Sequence, residues 1–252
     1  MSGHSKWHNI KLKKGKVDAQ RGALFTKLSK EIILAAKGGS PDPEANYRLK
    51  MAVENARSSN VPQENIKRAI ARATGGDGAK DIEEIRYEGH GPHHFAIVID
   101  AATDNRNRTA SELRFLFSRH GGALGETGSV AWIFEPRGLL EVAHGALDED
   151  ALTEAALVDG VIDVRYDDGS EEGRSVISTE PVALAAVRAE LVAKGLRVTS
   201  MVLGVEPKQT VAPGGEELQS VVAFLDALED HEDVQRVYAN AEIDLAQLEA
   251  LA

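Results

Sequence analysis

Apolar residues in the first 75 positions recur every three or four residues, the spacing that places side chains on one face of a helix. This spacing predicts a helix over residues 20–37, a second after the turn at 40–43, and a third between Pro62 and Gly75. The inward positions are Phe25, Leu28, Ile32, Ala35, Leu49, Val53, Ala56, Ile66, Ile70 and Ala73. Three short helices of this kind can share one small core.

After the glycine-rich run at 75–78, which is typical of a linker, the hydrophobic pattern changes to that of strands. We expect, in order, strands over 82–87 and 95–101, a helix over 108–120 and a strand over 129–134. In this helix Thr103 or Asp104 could provide the N-terminal cap. The glycines of 121–128 indicate a bend, because a phosphate-binding loop would be followed by a helix and not by a strand.

The pattern from residue 138 to 206 is strand, helix, strand, strand, helix, strand, the split βαβ order of ferredoxin-like domains. The predicted elements cover 139–142, 148–158, 161–166, 175–179, 181–194 and 197–205. The tail adds a strand near 209–211, a helix over 216–228 and a strand over 233–239, which is too little to fold alone. We therefore expect the tail to return to the α+β domain that begins at residue 77 and to complete it.

The fold class predicted from these elements is α+β with three domains. A basic arm and three-helix domain cover 1–76. An α+β domain is formed by 77–136 together with 207–252. An acidic, ferredoxin-like domain, 137–206, is inserted into it.

Charge divides the chain in a way that the formal net charge of −11 conceals. Up to Gly75 there are 15 lysines and arginines against 6 aspartates and glutamates, whereas the remainder has 14 against 34. Surface charges act over about 8 Å at physiological ionic strength, so a partner docking on the first segment would experience mainly its positive charge. A basic segment on an acidic protein favours binding of a polyanion.

The first sixteen residues contain five lysines, one tryptophan and no acidic residue, a composition suited to phosphate contacts and base stacking. A solvated, solubilising arm is the alternative. Cations continue onto the helices, and two arginines accompany the predicted helix start in the segment 103–109, where free N–H groups can meet an anion. The candidate nucleic-acid-binding residues are Lys6, Trp7, Lys11, Lys13, Lys14, Lys16, Arg21, Lys27, Lys30, Lys67, Arg68, Arg72, Arg106 and Arg108.

Other chemistry is weakly supported by the residues. Cysteine is absent, the histidines at 90, 93 and 94 have no fixed ligand pattern, and no serine has the spacing of a hydrolase nucleophile. Acidic runs such as 229–233 are typical of solvated faces and helix ends. We expect no enzymatic activity, no metal and no cofactor. With neither a secretory signal nor a membrane-spanning segment in the pattern, we expect no membrane association and a cytoplasmic location.

Short motifs throughout the chain, most specific before residue 135, resemble the YebC/PmpR family, which includes the mitochondrial translational activator of cytochrome c oxidase. The sequence departs from the family pattern at His90, where an aromatic residue is more common, and at His93 and His94, where glycine is. The motifs lie at 3–7, 25–28, 60–69, 87–89, 103–109, 121–125 and 130–132.

The resemblance implies a three-domain α+β protein with a helical N-terminal domain and no known metal or enzymatic activity. It implies a DNA-binding transcriptional regulator in the cytoplasm, while other members resemble ribosome-associated translation factors that assist synthesis of proline-rich stretches. We expect the first of these functions. Binding to ribosomal RNA on the ribosome is the alternative, and a second alternative is an interaction module whose acidic sheets bind a basic protein.

Overall fold

A computed structural model describes residues 19–75, 81–166 and 173–243. The helices are α1 Ala19–Lys37, α2 Tyr47–Ser58, α3 Gln63–Ala73, α4 Arg106–Arg119, α5 Glu149–Ala155, α6 Leu184–Ala193 and α7 Gly215–Glu229. The strands are β1 Glu83–His90, β2 Ala96–Thr103, β3 Ala123–Leu124, β4 Phe134–Ala143, β5 Val161–Arg165, β6 Arg174–Thr179, β7 Arg197–Pro207 and β8 Val234–Ala239. The α+β class is confirmed.

The described residues form two compact units. The first unit contains 19–75, 81–132 and 213–239, and the second contains 133–166, 173–212 and 240–243. The main part of the second unit, 133–166 and 173–212, therefore interrupts the first unit in the sequence, and 240–243 returns the chain to the second unit. The division of the chain into three domains stays a prediction. In the described part of the chain, none of the helices has both the length and the hydrophobicity that a bilayer crossing requires.

In the first unit, α1, α2 and α3 enclose a core that contains Ile32, Leu49 and Ile66, as the apolar spacing predicted. Asn46 caps α2, because its side chain accepts a hydrogen bond from the Leu49 N–H at 3.1 Å and donates to the Ala35 carbonyl at 2.8 Å. The cap thus also joins α2 to α1.

The sheet of the first unit has the strand order β3-β1-β2-β8 and antiparallel pairing between β1 and β2 and between β2 and β8. Every residue of β2 is buried, so the sheet is covered on both faces at its centre. Phe117 of α4 and Phe224 of α7 meet edge to face with ring centroids 4.9 Å apart. These two helices supply the apolar side chains that cover one face.

The sheet of the second unit has the order β5-β6-β4-β7 with antiparallel pairing throughout. Its core is formed by side chains of the sheet and of α5 and α6, including Leu140, Ile177, Leu152 and Leu191. The predicted sequence of strand, helix, strand, strand, helix, strand is found here in the predicted order. The predicted strand near 209–211 is instead a single bridge between Val211 and Ala241.

The prediction of a strand over 129–134 is wrong for the first part of that range. Residues Ala131–Ile133 form one turn of 3₁₀ helix, and β4 begins only at Phe134. The reason is Glu88 on β1, whose buried carboxylate accepts hydrogen bonds from the N–H groups of Gly128, Val130 and Ala131. Backbone groups held by a carboxylate are not available to pair with a neighbouring strand.

Two consecutive histidines follow Pro92 in left-handed backbone conformations, with φ of 56° at His93 and 64° at His94. A Cβ atom is disfavoured there, because it crowds the following carbonyl oxygen. The ring of His93 is held by Ser220 of α7, with 2.8 Å between Nε2 and Oγ. His94 is exposed and has no such contact among the described residues.

Replacing His94 with glycine is expected to raise the free energy of unfolding by about 0.5 to 1 kcal/mol. Relief of the left-handed strain exceeds the extra backbone entropy that glycine brings to the unfolded state. Thermal denaturation should show a melting temperature higher by about 2 °C. The His94→Ala variant is the control and should show no gain, because alanine retains the Cβ atom.

Candidate nucleic-acid interface

The outer face of α3 carries two exposed cations. Ile66 and Ala69 are buried, which turns Lys67 and Arg68 outward. Lys67 is 63% exposed and lies 3.3 Å from Glu64, while Arg68 donates to the Asn65 side chain. Pairs at such exposure contribute only about 0 to 1 kcal/mol, so a phosphate can displace these partners at little cost.

The cations of α1 contact another part of the first unit. The Lys27 amine donates to the carbonyl oxygen of Glu229 at the end of α7. Lys30 donates to the carbonyl oxygen of Glu232 at 3.0 Å and forms an ion pair with Asp233. These two side chains therefore attach the helical segment to the turn before β8.

Asp233 is fully buried and is the centre of this attachment. Besides Lys30, its carboxylate accepts hydrogen bonds from Arg108 Nη2 at 2.9 Å and from Thr109 Oγ1 at 2.7 Å. Burial alone would raise the pKa of Asp233, but these three donors outweigh burial and lower the pKa to about 2. The expectation that the acidic run 229–233 is solvated is wrong at Asp233.

Arg106 and Arg108, predicted at the same anion site, have different surroundings. Arg108 pairs with Asp233 and also with Asp104 at 3.2 Å. Arg106 is 67% exposed, and its nearest carboxylate is that of Glu83 at 3.8 Å. The cap of α4 is neither Thr103 nor Asp104 but Asn105, whose side chain accepts from the Arg108 N–H at 3.2 Å.

A second set of ion pairs holds α1 against the sheet. Glu31 lies 3.2 Å from Arg48 on α2 and 3.9 Å from Arg236 on β8. Burial alone would raise the pKa of Glu31, but the two arginines lower it below its ordinary value. The charged side chains on the inner side of α1 therefore have partners within the protein.

An open polar cleft of about 370 Å³ lies in the first unit. It brings together three of the predicted cations, Lys30 of α1, Arg72 of α3 and Arg108 of α4, with the acidic Asp104 and Glu232. Sequence spacing gave no sign that these elements meet, since Arg72 and Arg108 are 36 positions apart. The α3 and α4 parts of the prediction thus share one side of the first unit.

The remaining predicted residues are less informative. Arg21 lies within α1. The predicted residues of the N-terminal arm lie outside the described part of the chain, and their role stays a prediction. They are Lys6, Trp7, Lys11, Lys13, Lys14 and Lys16.

Glu112, His231 and Asp233 bring ligand-type atoms close enough to hold a metal ion, but other groups use those atoms. The Asp233 N–H donates to His231 Nδ1 at 3.1 Å, and His231 Nε2 is hydrogen-bonded to Glu112, 3.0 Å away. The Asp233 carboxylate is taken by Lys30, Arg108 and Thr109. The geometry is that of a hydrogen-bonded turn.

Comparison with known families agrees with the motifs in the sequence. A family model described as the TACO1/YebC second and third domain matches residues 82–241, and one described as the TACO1/YebC protein N-terminal domain matches residues 5–76. The chain belongs to the TACO1/YebC family. The resemblance drawn from the sequence motifs is confirmed.

Relatives in the TACO1/YebC family match over nearly the whole chain. A protein of Pelotomaculum thermopropionicum is 49% identical over 246 residues, 97% of this chain and 100% of its own. A protein of Dictyoglomus turgidum is 46% identical over 253 aligned residues, 100% of both chains. Each is named a probable transcriptional regulatory protein.

A solved structure shares the fold of this TACO1/YebC protein. It is a conserved hypothetical protein from Aquifex aeolicus, with a TM-score of 0.82 and 43% sequence identity. The match covers 91% of this chain and 93% of the Aquifex chain.

Proposed function

We propose that this TACO1/YebC protein is a DNA-binding transcriptional regulator that contacts phosphates through its basic N-terminal segment. The observation that carries the proposal is the exposed cationic face of α3, where Lys67 and Arg68 have only exchangeable partners. The relatives' shared name, probable transcriptional regulatory protein, supports the regulatory role.

The cations fall into two groups by what holds them. Lys27, Lys30 and Arg108 hold the first unit together, and two of them pair with Asp233, so they are the weaker candidates for phosphate contacts. Lys67 and Arg68 on α3 and Arg106 at the start of α4 are exposed and weakly paired. We assign the principal phosphate contacts to this second group and to the N-terminal arm.

Backbone contact is favoured over base reading on this face. The α3 cations are Lys67, Arg68 and Arg72, and the neighbouring amide, Asn65, accepts a hydrogen bond from Arg68. Phosphate contacts position a protein on DNA and bring salt dependence, but they carry no sequence information directly. We therefore expect strong salt dependence and modest sequence preference from α3 itself.

The double variant Lys67→Glu/Arg68→Glu is expected to weaken binding to duplex DNA by roughly 10- to 100-fold near 50 mM salt. The slope of log affinity against log salt should also fall in magnitude by about 2, since about 1 is lost per phosphate contact. Fluorescence anisotropy with a labelled duplex, measured between about 50 and 200 mM salt, gives both quantities.

The matched control is Arg197→Glu/Lys208→Glu, which makes the same charge change at two exposed positions of the second unit. It should leave the salt slope unchanged. An equal loss in both variants would mean that net charge, and not α3, controls binding.

Sedimentation of cell extract through sucrose at low and high salt tests the rival function, because ribosome association that salt disrupts would favour ribosomal RNA as the partner.

A further inference from the structure

The outward face of α4 presents an aromatic ring to solvent. Thr109, Leu113 and Phe117 are buried and fix the inner side of the helix. Phe115 lies two positions from both Leu113 and Phe117, on the opposite side, and is 64% exposed. Phenylalanine is more often buried than exposed, and this ring is open to a partner.

Two arginines flank this ring. Arg114 precedes Phe115, and Arg119 lies one helical turn after it, where side chains at i and i+4 are neighbours. Both arginines are exposed. The other exposed positions around the ring on α4 are Ser111, Glu112 and Ser118, and the Glu112 carboxylate is held by His231, with 3.0 Å between Oε2 and Nε2.

The two arginines differ from nearly all other cations in the described residues. Lys27, Lys30 and Arg108 have intramolecular acceptors, and so do most others. Among the side chains that the structure describes, only the cationic groups of Arg57, Arg114 and Arg119 form neither a hydrogen bond nor an ion pair with a described residue. Two of these three therefore lie beside the exposed ring of Phe115.

We propose that the outer face of α4, formed by Arg114, Phe115 and Arg119, binds an unpaired nucleic-acid strand. Phe115 stacks on a base, while the two arginines contact phosphates on either side. The arginines lack acidic neighbours of their own and so complement a polyanion, and the ring provides a stacking surface that any base can use. A duplex would satisfy only the arginines, because its bases are already stacked and paired.

This inference deepens the proposed function and rests on it in one respect, that the bound polymer is nucleic acid. It adds a second surface with a different substrate form. The α3 face contacts duplex phosphates, whereas the α4 face requires an unstacked base. A regulator with both surfaces would hold DNA where the duplex is opened.

The test uses the full chain and two labelled 20-mers, one of thymidine and one of uridine, followed by fluorescence anisotropy. Phe115→Leu is expected to weaken binding of either strand by about 5- to 100-fold, because leucine retains the apolar bulk but has no π face. Phe115→Trp should bind at least as tightly as the wild type. The thymidine and uridine strands should bind within about threefold of each other, since stacking and phosphate contacts need no 2′-hydroxyl.

Three controls separate the possible outcomes. Arg114→Ala/Arg119→Ala should reduce the salt slope for the strands by about 2, whereas Arg57→Ala, the third unpaired arginine, should not weaken stacking. Phe115→Leu should leave duplex affinity within about twofold. All four positions are exposed, and unchanged melting temperatures will show that folding is intact.

Wild-type affinity in Phe115→Leu would overturn this inference. Duplex binding that depends on α3, with no binding of either strand, would overturn the inference and leave the proposed function standing. Strand binding that depends on Phe115, with no duplex binding, would do the reverse.

Discussion

The Asp233→Ala variant is expected to lower the free energy of unfolding by about 3 kcal/mol and the melting temperature by about 6 to 12 °C. The carboxylate is fully buried, and its loss would leave Lys30 and Arg108 without their shared partner. It would also remove one acceptor of the buried Thr109 hydroxyl, the one at 2.7 Å. Because Asp233 joins α1, α4 and the turn before β8, its loss should destabilise the whole first unit. Urea denaturation followed by circular dichroism measures the change in the free energy of unfolding.

The same residue gives the protein an acid dependence whose sign follows from its pKa. The pKa of Asp233 is about 2 in the folded protein against an ordinary value of 3.8. A carboxyl group whose pKa is lowered by folding stabilises the protein at pH values above its ordinary pKa. This stabilisation is lost as the pH falls toward the pKa that the group has in the folded protein. The contribution is about 2 kcal/mol and should disappear largely between about pH 4 and pH 2.

The Asp233→Asn variant separates charge from shape. It retains the size of the side chain and an acceptor oxygen, but it cannot titrate. The difference in unfolding free energy between wild type and Asp233→Asn should therefore shrink by about 2 kcal/mol as the pH falls from about 5 to about 2. A difference that stays constant over this range would mean that the ion pairs with Lys30 and Arg108 contribute no stability.

The helices of the N-terminal segment could be predicted from the sequence because their information is local. Ile32, Leu49 and Ile66 follow a helical period, and glycine or proline lies near most of the helix boundaries, so burial of those residues follows directly. The acidic run 229–233 has no comparable local signal. Asp233 is buried because Lys30 and Arg108 reach it from 203 and 125 positions away, which no spacing rule can show.

The sequence predicts the positive charge of the candidate interface but not which of its cations are free to contact a phosphate. A count of lysines and arginines shows that the first segment is basic, but it cannot show which cations are already paired. Lys30 and Lys67 each add one positive charge to the count. Lys30, however, pairs with a buried carboxylate, whereas Lys67 pairs with an exposed one. Composition gives no signal for Arg114 and Arg119, because the acidic average of residues 76–252 conceals a helix with four arginines and one glutamate.

The segment before β4 depends on one carboxylate, and the Glu88→Ala variant is expected to cost about 3 kcal/mol. Oε1 of Glu88 accepts from the Gly128 N–H at 2.8 Å, and Oε2 accepts from the N–H groups of Val130 and Ala131 at 3.0 and 2.8 Å. Burial alone would raise the pKa of Glu88, but the three backbone donors outweigh it and lower the pKa below its ordinary value of 4.5. The ionised carboxylate is therefore the form that stabilises the folded protein. Its contribution to the free energy of unfolding should be lost as the pH falls below about 4.5.

The Glu88→Gln variant tests whether the charge or only the polarity of the side chain matters. An amide has one acceptor oxygen, so its NH₂ group must face backbone N–H donors at the position of the other oxygen. We therefore expect Glu88→Gln to be destabilised by at least about 2 kcal/mol, nearly as much as Glu88→Ala. Amide hydrogen exchange should localise the effect to Gly128, Val130 and Ala131. Exchange rates at those three amides that match the wild type would contradict this account, because they would show that the loop keeps its conformation without the carboxylate.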